Sequence, residues 1–442
     1  MAHGVVKSQV EAPLTLDEAP PRALGLLDQG ALWGNLGVSL LGFSGAVALV
    51  DPLGDRPLSF AAAMVAAVVG SLVGTAMVGL AAVPGTQTGA PAMVLLRGLF
   101  GARLSYLPTV LNVIQMLGWG AFELWVIAQG AQAIAGSMGA RVPYEVWVVL
   151  AGVVTTALTI KPLGAVRLLR RYVTVGVIVA MGYFTYEFVG RAPELGGGSW
   201  EAFAPAVDYV IALSVSWVPL AADFSRFSRS SRAAFGGVVG GYTVAQVACL
   251  ALGIGAMALV GNDTAKVWDP FVSASLGAVF FGILVLRESD QSFVNVYSTT
   301  MSIQNLLPRV DRRIISVATG VFVTLLAIFV SADTYAAFLG IIGAVFVPMF
   351  AVLVVDYFVL GGAARWDVSA TAPSRWPMVV PWALGFVTWW LLGALPPVAW
   401  WESWWLSVRD WLGFTPAPWM SAALGSFLVA ALITLALPRR RR

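Results

Sequence analysis

The chain has 442 residues, of which 59% are hydrophobic and only 11% are charged. Soluble domains carry about 25% charged residues, so this composition cannot form a water-facing surface and excludes a soluble globular protein. The net charge of +3 is small and most basic residues lie in predicted loops, which argues against a nucleic-acid partner and for a protein embedded in a lipid bilayer.

Histidine and cysteine are too scarce to build a metal centre or a Cys/His catalytic site. The single histidine, His3, lies in a polar N-terminal segment. The single cysteine, Cys249, lies in an apolar run, where free cysteine packs as a small hydrophobic residue. We therefore predict that the chain is not an enzyme and uses no cofactor.

Residues 1–30 are predicted to form a mixed-charge cytoplasmic tail without a cleavable signal peptide. Beyond this tail, apolar runs alternate with short connections. Crossing a bilayer takes about 20 apolar residues, so the length allows roughly 12 transmembrane helices in one integral domain. The predicted spans are 31–50, 59–83, 105–136, 143–160, 170–190, 204–222, 234–260, 270–298, 314–331, 334–360, 377–397 and 418–437.

Lysine and arginine set the predicted orientation. With the N-terminus in the cytoplasm, 20 of the 26 Lys and Arg residues fall in inside segments, five fall in outside segments, and Arg287 lies within a span. Cytoplasmic loops carry an excess of positive charge, so this alternation predicts that both termini are cytoplasmic. The Trp-rich segment 389–411 fits an aromatic belt at the outer end of the last two spans.

Spans one and six contain residues that interrupt a helix. Span one holds glycine or serine at 34, 37, 39, 42, 44 and 45, and span six contains Pro219, which has no N–H and so weakens the helix. Irregular backbone at membrane depth is tolerated only where it lines a cavity or is buried in protein. Interruptions at corresponding positions predict a five-plus-five inverted repeat with the site at its centre. The alternative is that the small residues only allow close helix packing.

Span three carries four polar or aromatic residues on one helical face. Asn112, Gln115, Trp119 and Glu123 are spaced at i, i+3, i+7 and i+11. For Asn112 and Gln115, hydrogen bonds to neighbouring helices are the simpler interpretation, although Gln115 stays a candidate for substrate binding. An indole that stacks and a carboxylate one turn later that accepts N–H donors suit a flat heterocycle that bears amide or amine groups, which favours a ligand-binding role for Trp119 and Glu123. The alternative is that Trp119 is only part of the core.

Span eight carries Arg287, Glu288, Asp290 and Asn295 within one crossing. Each such charge costs about 2.5–3.5 kcal/mol at the centre of an inserted helix, so these residues favour a functional role. Glu288 and Asn295 share one face, whereas Asp290 and Tyr297 share another that is roughly opposite. The two acids are therefore expected to have different roles. The alternative for Asp290 is a buried ion pair with Arg287 that only fixes the helix.

Several further short motifs are each weak evidence for a protein family, but together they match the pattern of a single one. They are PGTQTGAP at 84–91, LRGLFG at 96–101, Leu107-Pro108, Gly118-Trp119, ADFSRF at 222–227, Asn295-Val296-Tyr297-Ser298 with Gln304-Asn305, Phe346-Val347-Pro348 and Asp356-Tyr357-Phe358. Together, over about residues 32–360, they resemble the nucleobase:cation symporter-1 family, which includes purine–cytosine permeases and the bacterial hydantoin transporter.

The resemblance implies an all-α integral membrane protein with a LeuT-like inverted repeat, alternating access and cation-coupled uptake of a nucleobase or related ring. It implies that Trp119 and Trp217 sandwich the ring and that Glu123 and Asn295 form hydrogen bonds to it. Ser216, which precedes Trp217 in the interrupted part of span six, is included as a substrate-binding candidate.

The resemblance also bears on the coupling cation. It places Ser289 and Asp290 where two hydroxyl residues hold Na⁺, opposite span-one carbonyl groups near Phe43 and Ser44. In this chain Asp290 replaces a hydroxyl, and the neighbouring Arg287 and Glu288 are additional charges. Glu288 is therefore also a cation-coupling candidate. A carboxylate can bind Na⁺ or take up a proton, and the nearby guanidinium of Arg287 could stand in for a metal ion. The coupling cation therefore stays open between Na⁺ and H⁺.

The sequence as a whole predicts a monomeric multi-pass symporter of the plasma (inner) membrane. Residues 31–360 are expected to form the ten-helix transport core, and 361–442 to add two transmembrane helices and a basic C-terminal tail. Candidate substrates are cytosine, a purine, hydroxymethylpyrimidine and allantoin. The alternative is an uncoupled facilitator or channel for a small polar solute.

Overall fold

The computed structural model describes residues 20–52, 57–160, 164–191, 198–306, 310–393 and 398–437, and within these ranges the side chains of 164–174, 301, 304–306 and 312 are not described. The helices are α1 Leu26–Gly37, α2 Leu40–Val50, α3 Phe60–Thr88, α4 Ala92–Phe100, α5 Tyr106–Ser137, α6 Tyr144–Ile160, α7 Gly164–Gly190, α8 Phe203–Val215, α9 Ala221–Ser225, α10 Ser231–Gly237, α11 Thr243–Leu259, α12 Asp269–Val272, α13 Gly277–Leu306, α14 Arg312–Ala327, α15 Ala332–Val354, α16 Val379–Leu392, α17 Ala399–Leu412 and α18 Ala422–Ala436. In these ranges the only β-structure is two isolated bridges. The all-α prediction is therefore confirmed.

Most of these helices are apolar enough to lie in a membrane. Within the described ranges, five helices have the length and hydropathy of a membrane span, and two bent helix pairs pass the same test together. Five further apolar stretches of 10–17 residues lie in α6, in the part of α7 whose side chains are described, and in α14, α16 and α18. A spanning helix takes about 20 residues, so the total of 12 crossings stays a prediction. α1 begins at Leu26, inside the segment predicted as a tail, while residues 1–19 and 438–442 lie outside the described ranges.

Span one is broken between α1 and α2, as predicted. α1 ends at Gly37, Val38 and Ser39 adopt extended backbone conformations, and the two helices meet at an angle of 62°. The Ser39 hydroxyl accepts a hydrogen bond from the Leu41 N–H and so caps α2. The break leaves peptide groups of both helix ends without helical partners at the centre of the protein.

Span six is also interrupted where the sequence predicted it. α8 ends at Val215, a 3₁₀ turn covers Val218–Leu220, and α9 continues the span. Pro219 lies in this turn, where its missing N–H removes a helical hydrogen bond. Both interruptions therefore lie in the spans in which the sequence predicted them.

Span eight differs from the prediction of one continuous span over 270–298. A bend of 115° separates α12 from α13, and α13 begins only at Gly277. The corner leaves no room for a side chain at Gly277, since a Cβ atom there would lie 2.1 Å from the Phe271 carbonyl oxygen. The apolar composition on both sides of residues 273–276 conceals this corner in the sequence.

Helix packing brings the polar segments together. α13 packs along α5, α3 packs along α8, and α2 packs along α11. α1 packs against the π-helical turn Val238–Tyr242, where a Cβ atom on Gly241 would lie 2.1 Å from the Gly30 carbonyl oxygen. The absence of a side chain at Gly241 therefore allows α1 to approach the seventh span closely.

Helix α17 lies between the last two predicted spans and was not among the predicted helices. It lies inside the Trp-rich segment, and its polar residues include Glu402 and Arg409. Trp405 is buried, whereas Trp400 and Trp411 are exposed. This amphipathic pattern is typical of a helix that lies along a membrane interface. An aromatic belt at this position stays a prediction.

Candidate functional site

A small cavity of about 40 Å³ lies where the two interruptions face α5 and α13. It is lined by Leu36, Gly37, Ser39, Leu41, Gly42, Met116, Trp119, Glu123, Leu213, Ser216, Trp217, Leu220, Tyr242, Gln246, Gln291 and Asn295. The structure thus brings together five of the six residues predicted to bind substrate: Trp119, Glu123, Ser216, Trp217 and Asn295. These residues are contributed by three separate spans.

The two indole rings are held by different aromatic neighbours. Trp119 packs edge-on against Phe338 of α15, with a ring-centroid distance of 5.3 Å. Trp217 packs edge-on against Trp33 of α1, with a ring-centroid distance of 5.9 Å. Trp33 is itself fixed, because its Nε1–H donates to the Gln29 side-chain oxygen at 3.0 Å. Each indole is therefore oriented by a separate set of helices.

Glu123 places a carboxyl group on the cavity wall. Its side chain is only 4% exposed, and its Oε2 atom has no hydrogen-bond partner among the described residues. The carboxyl group lies close enough to Glu288 to interact with it. Asn295, 6% exposed, adds an amide from α13. A buried acceptor without a partner is costly, so this oxygen is free to accept a hydrogen bond from a donor that enters the cavity.

Gln115 does not line the cavity but fixes its wall. Its side-chain amide donates to the Ser216 carbonyl at 3.0 Å and to the Asn112 side-chain oxygen at 2.8 Å. It therefore connects α5 to the interrupted part of span six. These contacts agree with the interpretation of Asn112 and Gln115 as residues that bond helices to each other, while binding of substrate by Gln115 stays untested.

Glu288 caps the second half of span one. Its carboxylate accepts hydrogen bonds from the Ser39 hydroxyl and from the Leu40 N–H, the latter at 3.0 Å. The first N–H groups of a helix lack internal partners and attract negative charge. The buried Glu288 therefore stabilises the start of α2 from a helix that lies 249 residues away in sequence.

Arg287 and Gln291 complete the other end of the break. The Arg287 Nη2 atom donates to the Asn35 carbonyl at 2.6 Å. The Gln291 amide donates to the Leu36 carbonyl at 2.8 Å and to the Val38 carbonyl at 3.3 Å. Successive turns of α13 thus satisfy both ends of the interruption in span one.

The remaining cation-site candidates lie outside the cavity. Ser289 and Asp290 are half-buried on α13 and do not line it. Phe43 lies inside α2 and packs against Phe271, and the Ser44 hydroxyl donates to the Leu41 carbonyl at 3.3 Å. The structure therefore places the break at residues 38–39, before Phe43 and Ser44. A Na⁺ site at Ser289 and Asp290 stays a prediction.

Four of the lining residues that were not predicted carry a polar group on their side chains. They are Ser39, Tyr242, Gln246 and Gln291. Gln246 is the one amide side chain of the apolar run 234–260, which is a signal that could have identified it. Its amide bonds to Ser214 of span six at 2.9 Å and to Ser71 of α3 at 3.1 Å. Tyr242 has no such sequence signal, because an aromatic residue in a span is ordinarily part of the core.

This arrangement defines a class of protein. Two interrupted helices meet at a small aromatic and polar cavity inside a bundle of apolar helices, as in secondary transporters built from inverted repeats. The chain belongs to the family of permeases for cytosine/purines, uracil, thiamine and allantoin, whose model matches residues 53–406. This match confirms the resemblance noted in the sequence.

Solved structures with the same fold include two states of the nucleobase-cation-symport-1 family transporter Mhp1. Its inward-facing conformation is 15% identical with a TM-score of 0.76, covering 97% of this chain and 94% of that one. Its closed conformation with bromovinylhydantoin bound is 15% identical with a TM-score of 0.69, covering 96% and 94%.

A more distant match shares the same architecture. A Na⁺-coupled sialic acid symporter in a substrate-bound outward-open state is 11% identical with a TM-score of 0.58, covering 94% of this chain and 88% of that one. No curated protein sequence is similar enough to the chain to count as a relative. The predicted LeuT-like transporter fold is confirmed, and the chain is a multi-pass membrane protein.

Proposed function

We propose that the chain is a secondary active transporter that imports a nucleobase-like heterocycle by cation symport with alternating access. One observation carries this proposal: two indoles, a buried carboxyl group and an amide line a single cavity between two interrupted helices. The description of the family supports a cyclic substrate of the cytosine, purine or allantoin type, and the hydantoin derivative bound to Mhp1 supports a small heterocycle. Hydroxymethylpyrimidine is a further candidate from the sequence.

In this proposal the ring stacks between Trp119 and Trp217. Stacking on aromatic side chains contributes about 1–3 kcal/mol per base and tolerates different rings, because every base has a π-face. Glu123 accepts a hydrogen bond from a ring N–H or exocyclic amine, and Asn295 supplies both a donor and an acceptor. The carboxylate favours a ring rich in donors, such as an aminopyrimidine.

Transport requires the cavity to change size. Its volume of about 40 Å³ is far below the roughly 300–1,000 Å³ of ordinary small-molecule pockets. Trp119 is packed against α15, whereas Trp217 is packed against α1. Relative movement of these two helix groups separates the indoles and opens the site, as alternating access demands.

The proposed setting is the plasma (inner) membrane, with both termini in the cytoplasm and a monomeric protein. The distribution of Lys and Arg, with 20 residues in inside segments and five outside, supports this orientation. Residues 31–360 are proposed as the transport core, and residues 361–442 as two additional membrane helices with a basic tail.

Substituting Glu123→Gln is expected to weaken binding of donor-rich rings by about tenfold, while acceptor-rich rings bind unchanged or better. A hydrogen bond to a charged group contributes roughly 1.5–3 kcal/mol and one to a neutral group roughly 0.5–1.5 kcal/mol. The measurement is the concentration dependence of labelled-base uptake into proteoliposomes.

Glu145→Gln is the matched control for this substitution, because Glu145 is exposed at the start of α6. It should leave the affinity for every ring unchanged. If Glu123→Gln changes neither affinity nor selectivity, Glu123 does not contact the substrate.

A further inference from the structure

The break in span one exposes two helix ends of opposite polarity. The C-terminal end of α1 carries partial negative charge on its free carbonyl groups, and the N-terminal end of α2 carries partial positive charge on its free N–H groups. In transporters with interrupted helices, unwound carbonyls and helix C-termini of this kind coordinate the coupling cation. The group that contacts the carbonyls at the end of α1 therefore decides whether a coupling cation can bind there.

In this chain, two side chains of α13 donate hydrogen bonds to the carbonyl groups at the break in span one. The Arg287 guanidinium donates to the Asn35 carbonyl at 2.6 Å, and the Gln291 amide donates to the Leu36 and Val38 carbonyls at 2.8 and 3.3 Å. Arg287 and Gln291 are each only 3% exposed. Both side chains are therefore buried parts of the protein interior rather than mobile surface groups.

The charges on α13 match the polarity of the two helix ends. Arg287 contacts the negative end of α1, and the adjacent Glu288 contacts the positive end of α2. A guanidinium stays charged at every accessible pH and cannot leave the protein. A Na⁺ ion at the same carbonyls would have to displace Arg287 and would be repelled by its charge.

We infer that Arg287 is a resident cation that occupies the α1 carbonyls in place of Na⁺, so that transport needs no Na⁺. The sodium site that the resemblance implied at Ser289 and Asp290 is then not used. The transport consequence rests on the proposed function. The occupancy of the carbonyls does not, because it concerns the folded protein without substrate.

The first test is thermal unfolding of the purified full chain in NaCl, KCl and choline chloride at equal ionic strength. An ion that binds the native state raises the unfolding midpoint with its concentration. The expected midpoint is the same in all three salts. A saturable rise with NaCl alone would show a Na⁺ site and overturn the inference, and no substrate is needed for either result.

The second test uses Arg287→Ser, which removes the resident cation and opens the Asn35 carbonyl. Its midpoint is expected to be several degrees lower in choline chloride and to recover in part with NaCl. Arg313→Ser, at an exposed position of α14, is the matched control and should show no Na⁺ effect. A folded Arg287→Ser variant that is indifferent to Na⁺ would show that these carbonyls are no cation site, and would overturn the inference.

Uptake provides a third measurement on the wild-type chain in proteoliposomes. Coupling between two ligand sites typically changes affinity about 5- to 150-fold, so loss of a coupling Na⁺ would lower uptake strongly at low substrate concentration. Replacing Na⁺ with choline is expected to leave uptake of a labelled base unchanged, and a strong loss would contradict the inference. If no base is taken up in any salt, the proposed function fails, and the unfolding data still decide the role of Arg287.

Discussion

Replacing Trp217 with alanine is expected to weaken binding of the transported heterocycle by about 5- to 150-fold, since base–aromatic stacking contributes about 1–3 kcal/mol. Trp217 lines the cavity and its ring is oriented by Trp33. The truncated side chain leaves one face of the ring without a partner. The effect should appear as a higher KM for labelled-base uptake, with Trp217→Phe recovering part of the affinity.

Trp411→Ala is the control for this prediction. Trp411 lies on α17 and is 84% exposed, so its removal should leave KM unchanged. A Trp217→Ala variant that reaches the membrane in normal amounts and keeps the wild-type KM would show that the indole does not contact the substrate. The assignment of the central cavity would then have to be abandoned.

Asp356→Ala is expected to cost about 3 kcal/mol of stability, near the lower end of the range for breaking a buried ion pair. Asp356 is 1% exposed in the π-helical segment Val355–Val359 that continues α15, and its carboxylate accepts two hydrogen bonds from Arg375, at 2.8 and 2.9 Å. The Trp366 indole N–H donates to the same carboxylate at 2.6 Å. The substitution leaves the Arg375 guanidinium and the Trp366 indole N–H without this acceptor. Because Arg375 is partly exposed, water can replace part of the lost interaction, which limits the loss of stability.

The measurement is the midpoint of thermal or denaturant unfolding of the purified protein. Asp367→Asn, at an exposed position nearby, should leave the midpoint unchanged. Since Asp356 does not line the central cavity, the Asp356→Ala protein that remains folded should keep the wild-type KM. Equal unfolding midpoints for wild type and Asp356→Ala would refute the structural role given to this pair.

The features that could be predicted from the sequence depend on local chemistry. Pro219 in span six and the small residues of span one weaken a helix wherever they occur, so both interruptions could be located. The i, i+4 spacing of Trp119 and Glu123 guarantees that they share a face of α5. Both residues consequently line the same cavity in the structure.

The features that could not be predicted depend on pairing between distant elements. The contact of Glu288 with Ser39 joins residues 249 positions apart, and no periodicity in either span indicates it. The contact of Arg287 with the Asn35 carbonyl could not be predicted for the same reason, since its partner is a backbone carbonyl rather than a side chain. Every residue has a backbone carbonyl, so the sequence does not show which of them a distant side chain contacts.

Two elements were hidden by composition. The corner between α12 and α13 lies within an apolar run, and it depends on a glycine at 277, where a side chain would collide with the Phe271 carbonyl. Helix α17 is rich in tryptophan, which suits an interface and a helix equally well. Hydropathy therefore located the apolar segments without showing how each one folds.

The decisive measurement for cation-coupled transport is uptake of a panel of labelled rings into proteoliposomes, with the Na⁺ and proton gradients collapsed separately. The panel contains cytosine, purines, hydroxymethylpyrimidine and allantoin. We expect at least one ring to accumulate inside the vesicles. Because Arg287 is inferred to take the place of Na⁺, this accumulation should stop when the proton gradient is collapsed and should not change when the Na⁺ gradient is collapsed. Uptake indifferent to both gradients would identify a facilitator and contradict symport.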